Sequence, residues 1–153
     1  MIDEVDRKIL TILQKNARES NAQIARELGL APSGIHERIR KLEKRGVITG
    51  YSVNLDSAKL GYGVTAFLFV KSNDRPGDNV TARLLAKVPE VEEVHHIAGD
   101  DCFLVKLRCT SNEDLGRLLR EKIGSIEAVL STRTSVVLNT TKETGLLPLA
   151  EKK

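Results

Sequence analysis

Between Pro32 and Gly46 the side chains separate by type. Taking about 100° per residue from Ile35, the positions Ser33, Glu37, Arg40, Lys41 and Lys44 lie opposite an apolar stripe of Ile35, Ile39 and Leu42, while His36, Arg38 and Arg45 flank it. A short, polar, net positive helix face has side chains at its start that can reach base edges and cations within reach of phosphates. The contact set read from this face is Ser33, Gly34, His36, Glu37, Arg38, Arg40, Lys41 and Lys44. A second group suits different chemistry. Gly99-Asp100-Asp101 joins a backbone that a ligand can approach closely to carboxylates able to receive an ammonium group, and Cys102 follows directly. Thr132 and Thr134 share one face of a strand, so both hydroxyls could bond a carboxylate or polar side chain of the same ligand.

The elements that must position these groups follow from periodicity. Val5, Ile9, Ile12 and Leu13 form the stripe of a first helix over 3–16, with Asp3 as its N-cap. Ser20 followed by Gln23 is a capping-box pattern opening a short second helix, with Ile24, Ala25 and Leu28 on its apolar side and Gly29 ending it. Pro32 suits the first position of a third helix, complete by residue 45. Ala25, Gly29 and Ile35 then have the spacing of a helix-turn-helix: Ala25 allows close approach, Gly29 supplies a positive φ, and Ile35 locks the second helix onto the first. Leu28 and Leu30 fit the same packing.

After Gly46 the pattern turns β-branched and then glycine-marked, which divides the chain into a DNA-binding domain over 1–50, a linker or hinge strand over 51–62, a second domain over 63–140 and a tail over 141–153. Residues 64–71, 91–98, 103–109 and 129–139 read as strands; 78–87, through Val80, Leu84 and Leu85, and a segment capped by Ser111 read as helices. Strand, helix, strand, strand, helix, strand is the order of a ferredoxin-like βαββαβ sheet with both helices on one face, so the fold class is α+β. Phe67 and Phe69 make the first of these strands apolar on the second face too, and a further chain is expected to cover it.

Composition narrows the function. Residues 1–50 carry ten basic and seven acidic side chains, whereas 51–153 carry fourteen of each, so the whole net charge of +3 lies in the first third, where a polyanion would be met. At 3% aromatic residues and no Trp, a base-stacking platform is disfavoured and a helix is the expected reader of double-stranded DNA. No apolar run approaches the roughly 20 residues of a membrane span, and the acidic opening differs from a secretory signal, so the chain is read as cytoplasmic. Cys102 and Cys109, seven apart, are read as reduced thiols on opposite strand faces. A metal-responsive winged-helix regulator is the nearest alternative, because His95, His96, Asp100, Asp101 and Cys102 crowd one stretch. Consecutive histidines on a strand diverge, however, and no C-x-x-C or H-x-x-x-H pair supports them, so neither metal nor cofactor is assigned. A helix-turn-helix fused to a catalytic ferredoxin-like domain is weaker still: no G-x-S-x-G, H-E-x-x-H, P-loop or dinucleotide fingerprint occurs.

With these motifs in hand the chain resembles the leucine-responsive and asparagine-synthesis regulator (Lrp/AsnC, feast/famine) family of transcription factors. The likeness runs through Asp6-Arg7-Lys8-Ile9-Leu10, the helix-turn-helix, Arg38-Ile39-Arg40-Lys41-Leu42-Glu43, Gly46-Val47-Ile48-Thr49-Gly50-Tyr51, Leu60-Gly61, Ile97-Ala98-Gly99-Asp100-Asp101, Phe103-Leu104-Val105, and Thr132, Thr134, Val136 and Leu138. The resemblance implies a sequence-specific regulator without enzymatic activity. It also implies a C-terminal domain that binds a small effector, usually an amino acid, near the Gly-Asp turn and the last strand. That domain would dimerise through its sheet, with dimers assembling further, commonly into octamers. Two positions depart from the family pattern: Ala31 stands where a Ser often caps the recognition helix, and Asp101-Cys102 follow Gly99-Asp100 where relatives carry an aromatic and a polar residue.

Overall fold

A computed structural model describes residues 2–75 and 77–149. The chain forms two compact units: one runs to Asn54 and also takes in the segment from Lys142, and the other is Leu55–Thr141. The tail, expected to be separate, therefore groups with the N-terminal helices.

In the first unit α1 spans Glu4–Lys15, α2 Asn21–Leu28 and α3 Pro32–Lys44. Each start has a local cause. Asp3 and Asp6 form a reciprocal capping box on α1, and Ser20 Oγ accepts the Gln23 N–H at 3.1 Å. Ala31 gives α3 no side-chain cap, which leaves Pro32 to open it. Gly29 ends α2 at φ 66°, a left-handed conformation that sends the chain into the turn before α3. Ile9, Leu13, Ile24, Ala25 and Ile35 form one core, which brings the expected helix-turn-helix contacts together. Leu30 departs from expectation: it is 41% exposed, because its backbone closes the turn by donating to Ala25 O and its side chain points off the core.

In the second unit β1 is Val64–Ser72, α4 Val80–Leu85, β2 Val91–His96, β3 Phe103–Cys109, α5 Asn112–Leu118 and β4 Val129–Val136. The strands lie in the order β2-β3-β1-β4, and every pair is antiparallel. Helix α5 continues directly into a π turn over Leu119–Ile123, closed by Gly124 N–H donating to Leu119 O at 2.8 Å. The register puts Ala66, Leu68 and Val70 on one face with Phe103, Val105, Leu107 and Cys109, all buried in the core that α4 and α5 help to close. Phe67 and Phe69 lie on the other face, opposite Lys106 and Leu104.

Three expectations are corrected. No strand forms over 51–62: residues 57–62 make a turn, and the rest of the segment finds no ladder partner among the described residues. The helix expected over 78–87 shrinks to six residues, and it buries Thr81 and Leu85 while Val80 and Leu84 stay exposed. Its rotation is set by Asp74, which accepts both the N–H and the hydroxyl of Thr81 at 2.9 Å. Cys102 lies in the loop before β3 rather than on it, so strand alternation does not relate it to the buried Cys109; both thiols are free.

Candidate nucleic-acid interface and ligand loop

The free face of α3 is a small charge network. Glu37 Oε2 and Oε1 accept from Arg40 Nε and Nη2, both at 3.1 Å, and Lys41 Nζ lies 3.5 Å from Glu37 Oε1. These hydrogen bonds from Arg40 hold the Glu37 carboxyl below its usual range. Lys44 is exposed and unpaired among the described residues, as is the side chain of Ser33 beside Gly34 at the helix start. His36 Nδ1 sits 3.3 Å from Asn21 Nδ2, tying the edge of this face to the start of α2.

Arg38 does not join that face. Its Nη1 donates to Asp3 Oδ2 at 2.6 Å and Asp6 Oδ1 at 2.7 Å, the two carboxylates of the α1 capping box. The backbone N–H of Asp6 and then the Arg38 guanidinium lower the pKa of Asp3. Arg38 is thus a clamp between α1 and α3 in the free protein, where the sequence reading expected it among the DNA contacts. Helical spacing put it at the border of the free face, and only the approach of α1 shows which way the guanidinium turns.

The loop between β2 and β3 is wider than a two-residue hairpin turn. Ile97 N–H donates to Cys102 O at 3.0 Å, enclosing residues 98–101, and Gly99 adopts φ 132°, which strongly favours glycine. Cys102 N–H donates to Val70 O at 2.9 Å and its thiol to Ser72 O at 3.7 Å, which pins the loop to the end of β1. Asp101 is already engaged, because Arg133 Nη2 donates to its Oδ2 at 3.0 Å. Asp100 has no such partner among the described residues and is the exposed, free carboxylate of the pair.

The register separates these residues further. Thr132 pairs with Val70 and Thr134 with Leu68, which places both threonines on the helix-covered side of the sheet at its outermost strand. Arg133 pairs with Phe69, lies 4.0 Å over that ring and therefore faces the opposite side, taking Asp101 with it. Of the expected ligand residues, Asp101 therefore turns to the face opposite Thr132 and Thr134, while Cys102 packs against the inner core on the threonines' side. Arg133 was missed at the sequence level, although alternation through Thr132-Arg133-Thr134 puts a cation on the face away from the threonines. The histidines diverge as alternation requires: His95 bonds Glu93 at 3.0 Å on the outer face, and His96 packs against Phe103 at 5.2 Å between ring centroids on the inner one.

Comparison with known proteins matches both units. Residues 65–147 fit the Lrp/AsnC ligand binding domain, and residues 2–49 fit a winged helix-turn-helix DNA-binding domain. The chain is 43% identical over 148 residues to the HTH-type transcriptional regulator FL11 of Pyrococcus horikoshii, covering 97% of each. Among solved structures, Escherichia coli AsnC superposes with a TM-score of 0.88 at 31% identity, over 95% of this chain and 98% of that one. A Neisseria meningitidis transcriptional regulator in complex with L-methionine superposes with a TM-score of 0.91 at 27% identity, over 97% of each.

Proposed function

The chain belongs to the Lrp/AsnC family of DNA-binding transcription regulators, and on that premise we propose that Ser33, Gly34, His36, Glu37, Arg40, Lys41 and Lys44 read its operator while a small effector, an amino acid received at the 99–102 loop, alters assembly or DNA binding. The observation that carries the first part is the composition of the α3 free face: Arg40, Lys41 and Lys44 are exposed on it and Glu37 sits between two of them. Replacing Arg40 or Lys41 with Ala is expected to weaken operator binding without unfolding the unit. Loss of a phosphate contact flattens the log–log salt dependence by about one unit, and loss of a base contact costs roughly 1 to 3 kcal/mol and relaxes specificity. Glu37 acts in a different way. In the free protein it neutralises Arg40 and Lys41, and against DNA a carboxylate is tolerated only where it accepts a hydrogen bond, such as from a cytosine amino group. Glu37→Ala therefore changes sequence preference, read by selection from a random library, more than it changes affinity. Unchanged binding in all three variants would place the DNA surface elsewhere.

Support for an amino-acid effector comes from the free Asp100 carboxylate beside a glycine-shaped backbone, together with the relative solved with L-methionine. The threonines face the side of the sheet opposite the Asp101-Arg133 pair, and this reading has a second copy of the chain complete the site. Asp100→Ala is expected to abolish the thermal shift caused by the best of the twenty amino acids while DNA binding persists; a variant that keeps the full shift would refute the assignment. Catalysis, metal and cofactor play no part in this reading. Among the described residues no helix is long and apolar enough to cross a membrane, and the regulator is proposed to act in the cytoplasm.

A further inference from the structure

The segment that leaves β4 returns to the DNA-reading unit. Since the chain from Lys142 packs with the residues before Asn54, the sensor unit is inserted between two pieces of the reader instead of hanging from it by one connection. The returning contact is specific. Gln14 on α1 accepts the Leu147 N–H at Oε1, 2.7 Å away, and donates Nε2 to the Leu147 carbonyl at 3.3 Å. One primary amide thus satisfies both backbone groups of a single residue, as a neighbouring strand would. Pro148 restricts Leu147 to extended backbone and offers no N–H of its own. Leu149 then lines a groove of about 650 Å³ with Arg7, Thr11, Lys15 and Leu28.

Both ends of this segment lead to functional residues. Upstream it continues from β4, whose Arg133 holds Asp101 of the ligand loop. At its docking point it meets α1, whose first turn is bonded through Asp3 and Asp6 to Arg38 of α3. We propose that residues 142–149 form a strap through which the sensor sets the reader, with Gln14 as the positioning residue that receives it. The proposal rests on the reading that the 99–102 loop receives an amino acid. The other connection, residues 46–63, contains no strand and is held at its ends, by Ile48 in the reader core with Tyr51 donating to Glu43, and by Arg108 donating to Ser57. A docked strap adds a second tether and narrows the placements the reader can sample; a released strap widens them. In an oligomer those placements decide which half-site spacings two readers can span at once.

Gln14→Leu removes both hydrogen bonds and Leu147→Pro removes only the N–H donor, and neither residue lies on the α3 free face. Two measurements decide the proposal: amide hydrogen exchange, and affinity for DNA selected by the wild-type protein from a random library. Affinity is measured on that DNA and on variants of altered half-site spacing, with and without an equimolar mixture of the twenty amino acids. Both variants should exchange α1 amides about three- to tenfold faster with β1–β4 unchanged. They should keep wild-type affinity for a single half-site, tolerate altered spacings, and lose the response of DNA binding to the mixture while keeping its thermal shift. Unaltered α1 exchange, or a Gln14→Leu protein that still discriminates spacing and responds fully, overturns the strap. If the mixture gives the wild-type protein no thermal shift, the effector reading falls, and exchange and spacing still decide whether the strap restrains the reader.

Discussion

Replacing Arg38 with Ala lowers the stability of the DNA-reading unit by about 2 kcal/mol, an effect expected to appear in thermal or urea unfolding without DNA present. The cause is the carboxylate left behind. The Asp6 side chain is only 10% exposed and its Oδ1 receives the guanidinium at 2.7 Å, so removing Arg38 strands a desolvated charge that the capping box alone must then satisfy. Asp3 contributes less, since half of its side chain faces solvent. A double-mutant cycle with Asp6→Asn separates this from a lost DNA contact: the neutral amide removes the stranded charge, so Arg38→Ala should cost markedly less in that background. Because the folded-state pKa of Asp3 is depressed, the stability it contributes is fully present above about pH 4 and is lost as pH falls through the lowered value. Wild-type stability in Arg38→Ala combined with weakened DNA binding would return this residue to the reading face.

Phe67→Glu is expected to break the sheet-to-sheet dimer that we propose for this chain. Phe67 and Phe69 are half-buried on the outer face of β1, flanked by Leu104, by the ion pairs of Lys106 with Glu92 and Glu93, and by Arg133 over the Phe69 ring. A twofold pairing of sheets through this face would bury the remaining half of each phenylalanine, at roughly 1 kcal/mol per side chain, and a carboxylate at position 67 would forfeit that and bring its charge into the seam. The dimer dissociation constant should rise at least about a hundredfold, read by sedimentation at micromolar concentration. The monomer should remain folded, because position 67 lies on the outer face of β1, away from the core of Ala66, Leu68 and Val70. A Phe67→Glu protein that sediments as the wild type would show that this face is not an interface.

Much of the architecture was legible in the residues because the relevant physics is local. The apolar spacings in α1 and α3, the Ala25-Gly29-Ile35 geometry, the Ser20 and Ser111 caps and the alternation of β3 each depend on neighbours within a few positions, and all reappear in the structure. Where local signals competed, sequence reading failed. Val80 and Leu84 looked like the buried stripe of α4, but Asp74 rotates that short helix onto Thr81 through two hydrogen bonds from seven residues away. The hinge strand expected in 51–62 after the β-branched run from Val47 does not form, since β structure requires a partner that composition does not supply.

Sequence by itself determined the order of elements, the helix-turn-helix, the basic face of α3 and the two-sided apolarity of β1. Tertiary structure decided how the charges divide. Arg38 and Arg40 are two residues apart on one helix, yet one clamps carboxylates 35 and 32 positions away while the other pairs within its own turn and stays on the free face. Asp100 and Asp101 are adjacent, yet one is committed to Arg133 and the other is free among the described residues. Periodicity reports the direction in which a Cβ points, whereas a long guanidinium settles on whichever carboxylate the packed chain brings within about 3 Å of it, and that distance exists only after folding.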